Sequence, residues 1–164
     1  MRLIGIAGWS GAGKTTLIAG VLPLLRQQGL RVSTVKHAHH AFDIDQPGKD
    51  SWVHRQSGAE EVLIVSQSRW ALMHELRGAP EPPLKALIGK LEPVDLVIVE
   101  GFKRDRHPKI EVHREGNGKP FLHPDDGHIV AIATDAPGPF AVPRLAIEDH
   151  AAIAAAMIAY AEVI

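Results

Sequence analysis

The amino-acid sequence predicts an α/β fold in three layers: a mostly parallel sheet with helices on both faces and a small β-hairpin extension. The segment GIAGWSGAGKTT, residues 5–16, contains the pattern G-x-x-x-x-G-K-S/T between an apolar run and a helical pattern. Short apolar runs alternate with segments of helical periodicity along the rest of the chain. One run, LVIV at 96–99, is continuously apolar, as expected for a strand buried on both faces. These observations indicate the fold of P-loop NTPases.

The first half of the chain supplies the phosphate-loop unit. The apolar run at 2–7 predicts a buried strand, and apolar residues at helical spacing after the loop predict a helix that ends at Gly29. Pro23 lies inside this helix, where we expect it to kink the helix or to cost stability. A strand is predicted at 31–35. A polar, His-rich loop then leads into a short helix near 50–56.

The second half completes the predicted sheet. A polar turn between two apolar runs predicts a β-hairpin with strands at 62–66 and 70–74. The elements predicted after it are a helix at 84–91 and strands at 96–99, 110–113 and 129–133. An Ala-rich helix at 147–160, with Asp149 as a possible cap, ends the chain.

Composition limits the function classes. At 164 residues we expect one domain, 1–164, large enough for a core. A net charge of -1 gives no general attraction to nucleic acid or to membranes, and the absence of cysteine excludes disulfides and thiolate metal sites. No signal peptide is visible, and no apolar run approaches the roughly 20 residues of a spanning helix. We expect a cytoplasmic protein that binds neither nucleic acid nor membranes.

The glycine-rich loop is the predicted phosphate site. Glycines allow its backbone N–H groups to turn towards an anion, and the following helix presents the positive end of its dipole. Lys14 supplies a charge for the β- and γ-phosphates, and the Thr15 hydroxyl is a ligand for Mg²⁺. The residues predicted to bind the nucleotide here are Gly8, Ser10, Gly11, Ala12, Gly13, Lys14, Thr15 and Thr16.

A carboxylate at the end of a neighbouring strand is expected to hold Mg²⁺ or its water, and Glu100 is the candidate. The glutamate side chain is one methylene longer than that of aspartate, which suits contact with Mg²⁺ through a water molecule better than direct ligation. The alternative is a strand-end glutamate that caps a helix or pairs with a lysine. Asp45, in the loop after the second predicted strand, is the candidate for positioning water or a metal-bound water. The predicted catalytic residues are therefore Lys14, Asp45 and Glu100, and the predicted metal site is Thr15, Asp45 and Glu100.

Two polar segments near these residues leave alternatives open. In the first, Lys36 or Lys49 can neutralise phosphate charge, and His37, His39 and His40 are either metal ligands or part of a solvated loop. The second segment, 101–109, is a basic loop that either binds a second anionic substrate or is simply solvated. Its cations are Lys103, Arg104, Arg106 and Lys109.

The N-K-x-D motif with which common GTPases recognise the guanine base is missing from the sequence. The segment IATD offers Asp135, whose carboxylate can accept the N1 and N2 hydrogens of guanine. Adenine leaves such a buried acceptor unpaired, which discriminates against it. The alternative is an ordinary turn aspartate before Pro137.

Four stretches together resemble the molybdopterin-guanine dinucleotide biosynthesis protein B family. They are GWSGAGKTTLI, the segment VKHAHHAFDID with PGKDS, VDLVIVEGFK and IVAIATD. The resemblance runs over nearly the whole chain, and the His/Asp segment followed by VEGFK is its specific part. One departure is Ala41, where the family pattern leads us to expect an acidic residue. Trp9 stands where the dimeric ATPases of plasmid partition carry a second lysine, which argues against their mechanism.

The resemblance implies a GTP-binding protein with weak GTPase activity, typically a homodimer. It also implies an accessory role beside the guanylyltransferase, protein A of the same pathway, that joins GMP to molybdopterin. At the matching positions, the resemblance implies that Asp45 and Glu100 lie around the metal and that Asp135 faces the base. The loop residues that it implies hold phosphates and Mg²⁺ are Gly11, Gly13, Lys14, Thr15 and Thr16. The implied cofactors are GTP and Mg²⁺.

Two other functions compete with this one. A small-molecule kinase would use the basic loop 101–109 as an acceptor or lid site, although the chain offers no dedicated lid domain. A nucleic-acid-binding module is disfavoured by the near-neutral charge and the few aromatic residues. The hairpin at 61–74, carrying Trp70 and Met73, is our candidate surface for a dimer or partner contact.

Overall fold

The computed structural model describes residues 1–38 and 42–164, which form two compact units. The first unit comprises Met1–His37 and Leu87–Ile164, and the second comprises Ala38–Ala86. In the described ranges, no helix is long and apolar enough to cross a membrane.

A seven-stranded sheet forms the centre of the first unit. Its strands are β1 Arg2–Ala7, β2 Val32–Lys36, β5 Leu96–Glu100, β6 Lys109–His113, β7 Ile129–Thr134, β8 Arg144–Ala146 and β9 Glu162–Val163. They lie in the order β2-β5-β1-β6-β7-β8 with parallel pairing throughout, and β9 pairs antiparallel with the start of β1. The non-consecutive order results from crossover connections, as expected for a parallel sheet.

Two helices cover one face of this sheet. They are α1 Lys14–Gln27 and α4 His150–Tyr160, which contact each other. The side chains of α1 that are buried against the sheet recur at helical spacing: Leu17, Ile18, Val21 and Leu25. Pro23 is exposed and does not end α1, which continues to Gln27. The Asp149 side chain accepts a hydrogen bond from the Ala152 N–H at 2.9 Å, which confirms the predicted cap of the last helix.

The opposite face of β6 is polar and buried. Lys109, Glu111 and His113 alternate along this strand, so that they point to one side. Each binds the segment that follows: Lys109 Nζ contacts Asp126 Oδ2 at 2.9 Å, and Glu111 accepts the Leu122 N–H at 2.6 Å. His113 Nε2 lies 2.9 Å from the Lys119 carbonyl oxygen. These bonds fix the segment 119–126 on the sheet, which explains how ionisable residues are tolerated there.

The second unit contains α2 Asp50–Gln56 and a two-stranded antiparallel hairpin of β3 Glu61–Val65 and β4 Trp70–His74. A short helix, α3 Leu84–Ile88, lies where the chain passes back to the first unit. The predicted hairpin and the short helix after the His-rich loop are thus confirmed. Sequence reasoning did not anticipate β8, β9 or the 3-10 helix Glu115–Asn117.

Candidate functional site

The carboxyl ends of three neighbouring strands bring the phosphate loop and Glu100 together. Parallel pairing places Ile6 of β1 and Lys36 of β2 opposite Glu100 of β5. The glycine-rich loop follows β1 directly and continues into α1. Ligands of open α/β sheets bind at this edge, so the fold assembles the predicted phosphate site where such sites lie.

The loop has the backbone that an anion cradle requires. Gly11 and Gly13 have φ angles of 80° and 94°, in the left-handed region that side chains other than glycine rarely adopt. Of the other predicted binding residues, Ser10, Thr15 and Thr16 are exposed and Ala12 is buried. The N-terminus of α1 is therefore open to a ligand, and its first N–H groups have no helical partners.

Lys14 folds back over the loop. Its Nζ donates hydrogen bonds to the carbonyl oxygens of Gly8 at 3.1 Å and Trp9 at 2.9 Å. Burial lowers the pKa of the Lys14 ammonium; Glu100 opposes this shift, while Lys103 and Lys36 reinforce it. A bound polyphosphate would offset the repulsion among these cations, because opposite charge favours the protonated form.

Thr15 and Glu100, two of the three predicted metal ligands, lie next to each other. The Thr15 hydroxyl lies 3.4 Å from Glu100 Oε1, and Lys36 Nζ lies 3.6 Å from Oε2 of the same carboxylate. Two oxygens that share an octahedral Mg²⁺ with bonds near 2.1 Å lie about 3 Å apart, so this pair fits Mg²⁺ or its bound water. Nowhere in residues 1–38 and 42–164 do three or more His, Asp or Glu side chains form a group that could hold a metal. Phosphates and water would therefore complete the coordination.

Residues after β6 support the loop, and sequence reasoning missed them. Trp9 Nε1 donates to the Pro120 carbonyl oxygen at 2.7 Å, and Asn117 Nδ2 donates to the Ser10 carbonyl oxygen at 2.9 Å. A Cβ at Gly13 would lie 3.3 Å from Arg114 Nε. The only sign of this role in the sequence was the polar, turn-forming stretch REGNGKP directly after a buried strand.

The predicted basic loop divides into two parts. Lys103 Nζ lies 4.8 Å from the centroid of the Trp9 ring, at the phosphate loop. Lys109, by contrast, is only 1% exposed and pairs with Asp126, because it belongs to β6 and points into the polar face of that strand. Arg104 and Arg106 are exposed. The four cations therefore do not form one anion-binding surface.

Asp135 follows β7 and is engaged by the chain itself. Its Oδ1 accepts the Glu115 N–H at 2.8 Å, and its Oδ2 lies 3.9 Å from Arg114 Nη1. Arg114 also donates to Glu148 Oε1 at 3.0 Å. Guanine recognition needs carboxylate oxygens that face the base, so a bound guanine would share Asp135 with these groups or displace them.

Asp45 lies in the second unit, where its carboxylate binds Arg55. Nε and Nη2 of Arg55 lie 3.4 and 2.8 Å from the two oxygens of Asp45, whose side chain is 2% exposed. Asp43 Oδ1 accepts from the same guanidinium at 2.8 Å, and Glu75 lies 3.5 Å from its Nη1. The structure thus gives Asp45 a bidentate partner that the sequence did not reveal.

The histidines of the polar segment are only partly described. The His37 ring stacks on Phe102, with ring centroids 4.7 Å apart, and the backbone N–H of His37 donates to the Glu100 carbonyl oxygen at 2.8 Å. His37 is therefore packed beside the site by a ring contact. The predicted roles of His39 and His40 lie outside the described residues, as does Ala41.

Comparison with known proteins is consistent across sequence and structure. The family model for molybdopterin guanine dinucleotide synthesis protein B, MobB, matches residues 3–135. The molybdopterin-guanine dinucleotide biosynthesis adapter protein of Escherichia coli (strain K12) is 41% identical over 150 residues, covering 90% of this chain and 86% of that protein. The adapter protein of Haemophilus influenzae is also 41% identical, over 138 residues, covering 82% of this chain and 75% of that protein.

Solved structures agree with the fold. A crystal structure of molybdopterin-guanine biosynthesis protein B superposes with a TM-score of 0.74 and 28% identity, covering 96% of this chain and 98% of that chain. A MobB homologue from Bacillus stearothermophilus gives a TM-score of 0.70 at 24% identity, covering 96% and 95% of the two chains, and supports the fold alone. These similarities confirm the three-layer α/β fold and the predicted family. The chain belongs to the MobB family of molybdopterin guanine dinucleotide synthesis proteins.

Proposed function

We propose that this chain is a GTP-binding protein with slow, Mg²⁺-dependent GTPase activity that assists molybdenum cofactor assembly. Its partner would be the guanylyltransferase, protein A of the same pathway, that joins GMP to molybdopterin. The observation that supports this proposal most is the hydrogen bond between Thr15 and Glu100 beside an open phosphate loop, in a member of the MobB family. Adapter proteins of this pathway are the named relatives.

The surroundings of the loop favour binding over fast chemistry. In the nucleotide-binding role, the loop N–H groups and Lys14 hold the phosphates, and Thr15 with Glu100 holds the metal. Mg²⁺ would neutralise charge on the phosphate oxygens. Asp45, the predicted water-positioning residue, has both carboxylate oxygens in contact with the Arg55 guanidinium, so they are engaged by the protein rather than free to orient a water. Slow hydrolysis is the expected consequence.

The kinase alternative loses part of its support. It needs the cations of the basic loop as a second-substrate site, but Lys109 is buried against Asp126. Lys103 contacts the Trp9 ring of the phosphate loop itself. The remaining cations of this loop, Arg104 and Arg106, are exposed, which agrees with the alternative that this part of the loop is solvated.

The hairpin of the second unit is our candidate surface for homodimer formation. Four apolar side chains share one face of it and are exposed: Leu63 61%, Leu72 43%, Val65 72% and Trp70 62%. Met73, which we expected to be exposed with Trp70, is 8% exposed because it lies on the other face with Val62. An isolated hairpin with an apolar face is marginally stable in water, so we propose that a second copy covers it.

A hydrolysis and binding assay with the guanylyltransferase tests the proposed role. We expect slow GTP turnover that requires Mg²⁺ and is lost in Lys14→Ala, and we expect a complex with the guanylyltransferase in size-exclusion chromatography. Lys85→Ala, an exposed lysine of α3, is the matched control. Rapid phosphoryl transfer to a small acceptor, without any complex, would instead support a kinase.

A further inference from the structure

Positive charge exceeds negative charge around the phosphate loop. The charged groups that act on the Lys14 ammonium are the Glu100 carboxylate and the ammonium groups of Lys103 and Lys36. Lys36 is paired with Glu100 at 3.6 Å, so the one carboxylate of this group is already shared. Among the described residues, Glu100 is the one carboxylate that acts on the Lys14 ammonium, so an anion that enters the loop meets an excess of positive charge.

The Lys103 side chain contacts the ring of Trp9. Its Nζ lies 4.8 Å from the centroid of the Trp9 ring, within the range of a cation–π contact. The preceding residue, Phe102, has a φ of 48°, which is unusual for an aromatic residue, and its ring stacks on His37. The stacked ring holds this strained backbone, and the backbone directs Lys103 towards Trp9.

Trp9 is anchored by two hydrogen bonds. Its indole Nε1 donates to the Pro120 carbonyl oxygen at 2.7 Å, and its own carbonyl oxygen accepts from Lys14 Nζ at 2.9 Å. Pro120 lies in the segment 119–126, which the polar face of β6 fixes to the sheet. The ring is therefore an anchored surface, whereas Lys103 is a long side chain with rotatable bonds that can leave it.

We propose that Lys103 is a phosphate ligand that rests on the Trp9 ring while the loop is free and moves to the polyphosphate when a nucleotide binds. A cation on a half-exposed ring is held weakly, whereas an ammonium–phosphate hydrogen bond joins two full charges. The inference rests on nucleotide binding at the loop, as proposed above. It assigns Lys103 to the nucleotide rather than to a second substrate, and it makes Trp9 a reporter of occupancy.

Affinity for Mg-GTP tests the ligand role. Lys103→Gln should weaken binding about tenfold in calorimetric titration, the effect of losing one charge-assisted hydrogen bond. Lys103→Arg should recover most of the affinity, because it keeps the charge. Lys90→Gln makes the same charge change at an exposed lysine of the same unit and should alter the affinity less than twofold.

Fluorescence tests the movement. The chain has three tryptophans, so Trp52→Phe with Trp70→Phe leaves Trp9 as the single emitter. In this background Mg-GTP should change the Trp9 emission as the cation leaves the ring. With Lys103→Gln added, the nucleotide-free emission should already resemble the bound form, and Mg-GTP should produce less than half of the parent change.

The outcomes separate the two proposals. Unchanged Mg-GTP affinity in Lys103→Gln, or an undiminished Trp9 response, overturns the role of Lys103 and leaves GTP binding intact. Failure of the parent protein to bind Mg-GTP, or binding that survives Lys14→Ala, overturns the proposed function and this inference together. Weaker binding in Lys103→Gln with the predicted loss of the Trp9 response, and rescue by Lys103→Arg, supports both.

Discussion

The Thr15 hydroxyl donates across 3.4 Å to Oε1 of Glu100, which joins the first turn of α1 to the last residue of β5. These residues are far apart in sequence, and the parallel register of β1 and β5 brings them together. Because both belong to regular elements of the first unit, the pair is set before any ligand binds. A preorganised hydroxyl and carboxylate beside a phosphate loop are what a Mg-nucleotide needs.

Glu100→Gln should weaken the dependence of GTP binding on Mg²⁺. The amide keeps the size of the side chain but removes the charge that attracts Mg²⁺ or its water and that pairs with Lys36. We expect an approximately tenfold higher Mg²⁺ concentration at half-saturation, measured by titrating Mg²⁺ at fixed GTP. Glu92→Gln, an exposed glutamate before the same strand, is the control. An unchanged Mg²⁺ midpoint in Glu100→Gln would remove Glu100 from the metal site.

Asp135→Asn should separate base recognition from local structure. The Asn side-chain oxygen can still accept the Glu115 N–H, so the melting temperature should change little. The charge that attracts the guanine N1 and N2 hydrogens is lost, and the preference for GTP over ATP should fall at least tenfold in competition binding. Asp135→Ala should lower both the melting temperature and the preference for GTP over ATP. If Asp135→Asn keeps the GTP preference, the Asp135 carboxylate only accepts the hydrogen bond from the 3-10 helix Glu115–Asn117 and does not recognise the base.

His107 should make the protein sensitive to acid. Burial lowers the pKa of His107 from 6.5 to about 4, and neighbouring Lys109 adds to the shift. The unfolded chain therefore binds a proton between pH 6.5 and 4 that the folded chain does not, so the free energy of unfolding falls as the pH drops through this window. The loss from this group is at most about 3 kcal/mol.

Urea unfolding at several pH values measures the effect of His107. His107→Gln should flatten the fall in unfolding free energy between pH 6.5 and 4. Gly5 packs against the His107 ring, where a Cβ would lie 2.5 Å from Nε2, so the absolute stability of the variant will also drop. The slope is therefore the diagnostic quantity, and equal slopes in His107→Gln and the parent would refute this account.

The exposed face of the hairpin should carry the dimer contact. Trp70→Glu with Leu63→Glu places two charges on the apolar face, and burying them in a symmetric interface is strongly unfavourable. We expect the double variant to be monomeric in sedimentation velocity at micromolar concentration, and we expect the parent protein to be dimeric there. Val163→Glu, at a residue of β9 that is 82% exposed, is the control. A double variant that remains dimeric would rule out this face.

Patterns that local physics dictates were predictable from the sequence. The phosphate loop, the buried strand before Glu100 and the hairpin all follow from glycine placement and apolar periodicity, and they lie where predicted. The strands β8 and β9 were not foreseen, because they contain three and two residues and show no periodicity. They exist because neighbouring strands offer free hydrogen-bonding edges.

The groups that bind the charged side chains could not be predicted from the sequence. Lys109 was predicted to belong to a basic loop that is solvated or binds an anion, yet the segment 119–126 folds over Lys109 and Glu111 and binds both side chains. The Arg55 contact of Asp45 and the Glu115 contact of Asp135 likewise depend on tertiary packing between separate elements. A carboxylate in a motif shows which chemistry is available. Only the fold shows which group of the protein binds that carboxylate.

Calorimetric titration with Mg-GTP and Mg-ATP, using Lys14→Ala as the control, shows whether the protein recognises guanine nucleotides. We expect a clear preference for Mg-GTP in the parent protein and loss of binding in Lys14→Ala, because we propose that the loop, the cations around it and Asp135 act on one nucleotide. A preference for Mg-ATP, or equal binding of both nucleotides, would contradict guanine recognition and make the kinase hypothesis the one to pursue.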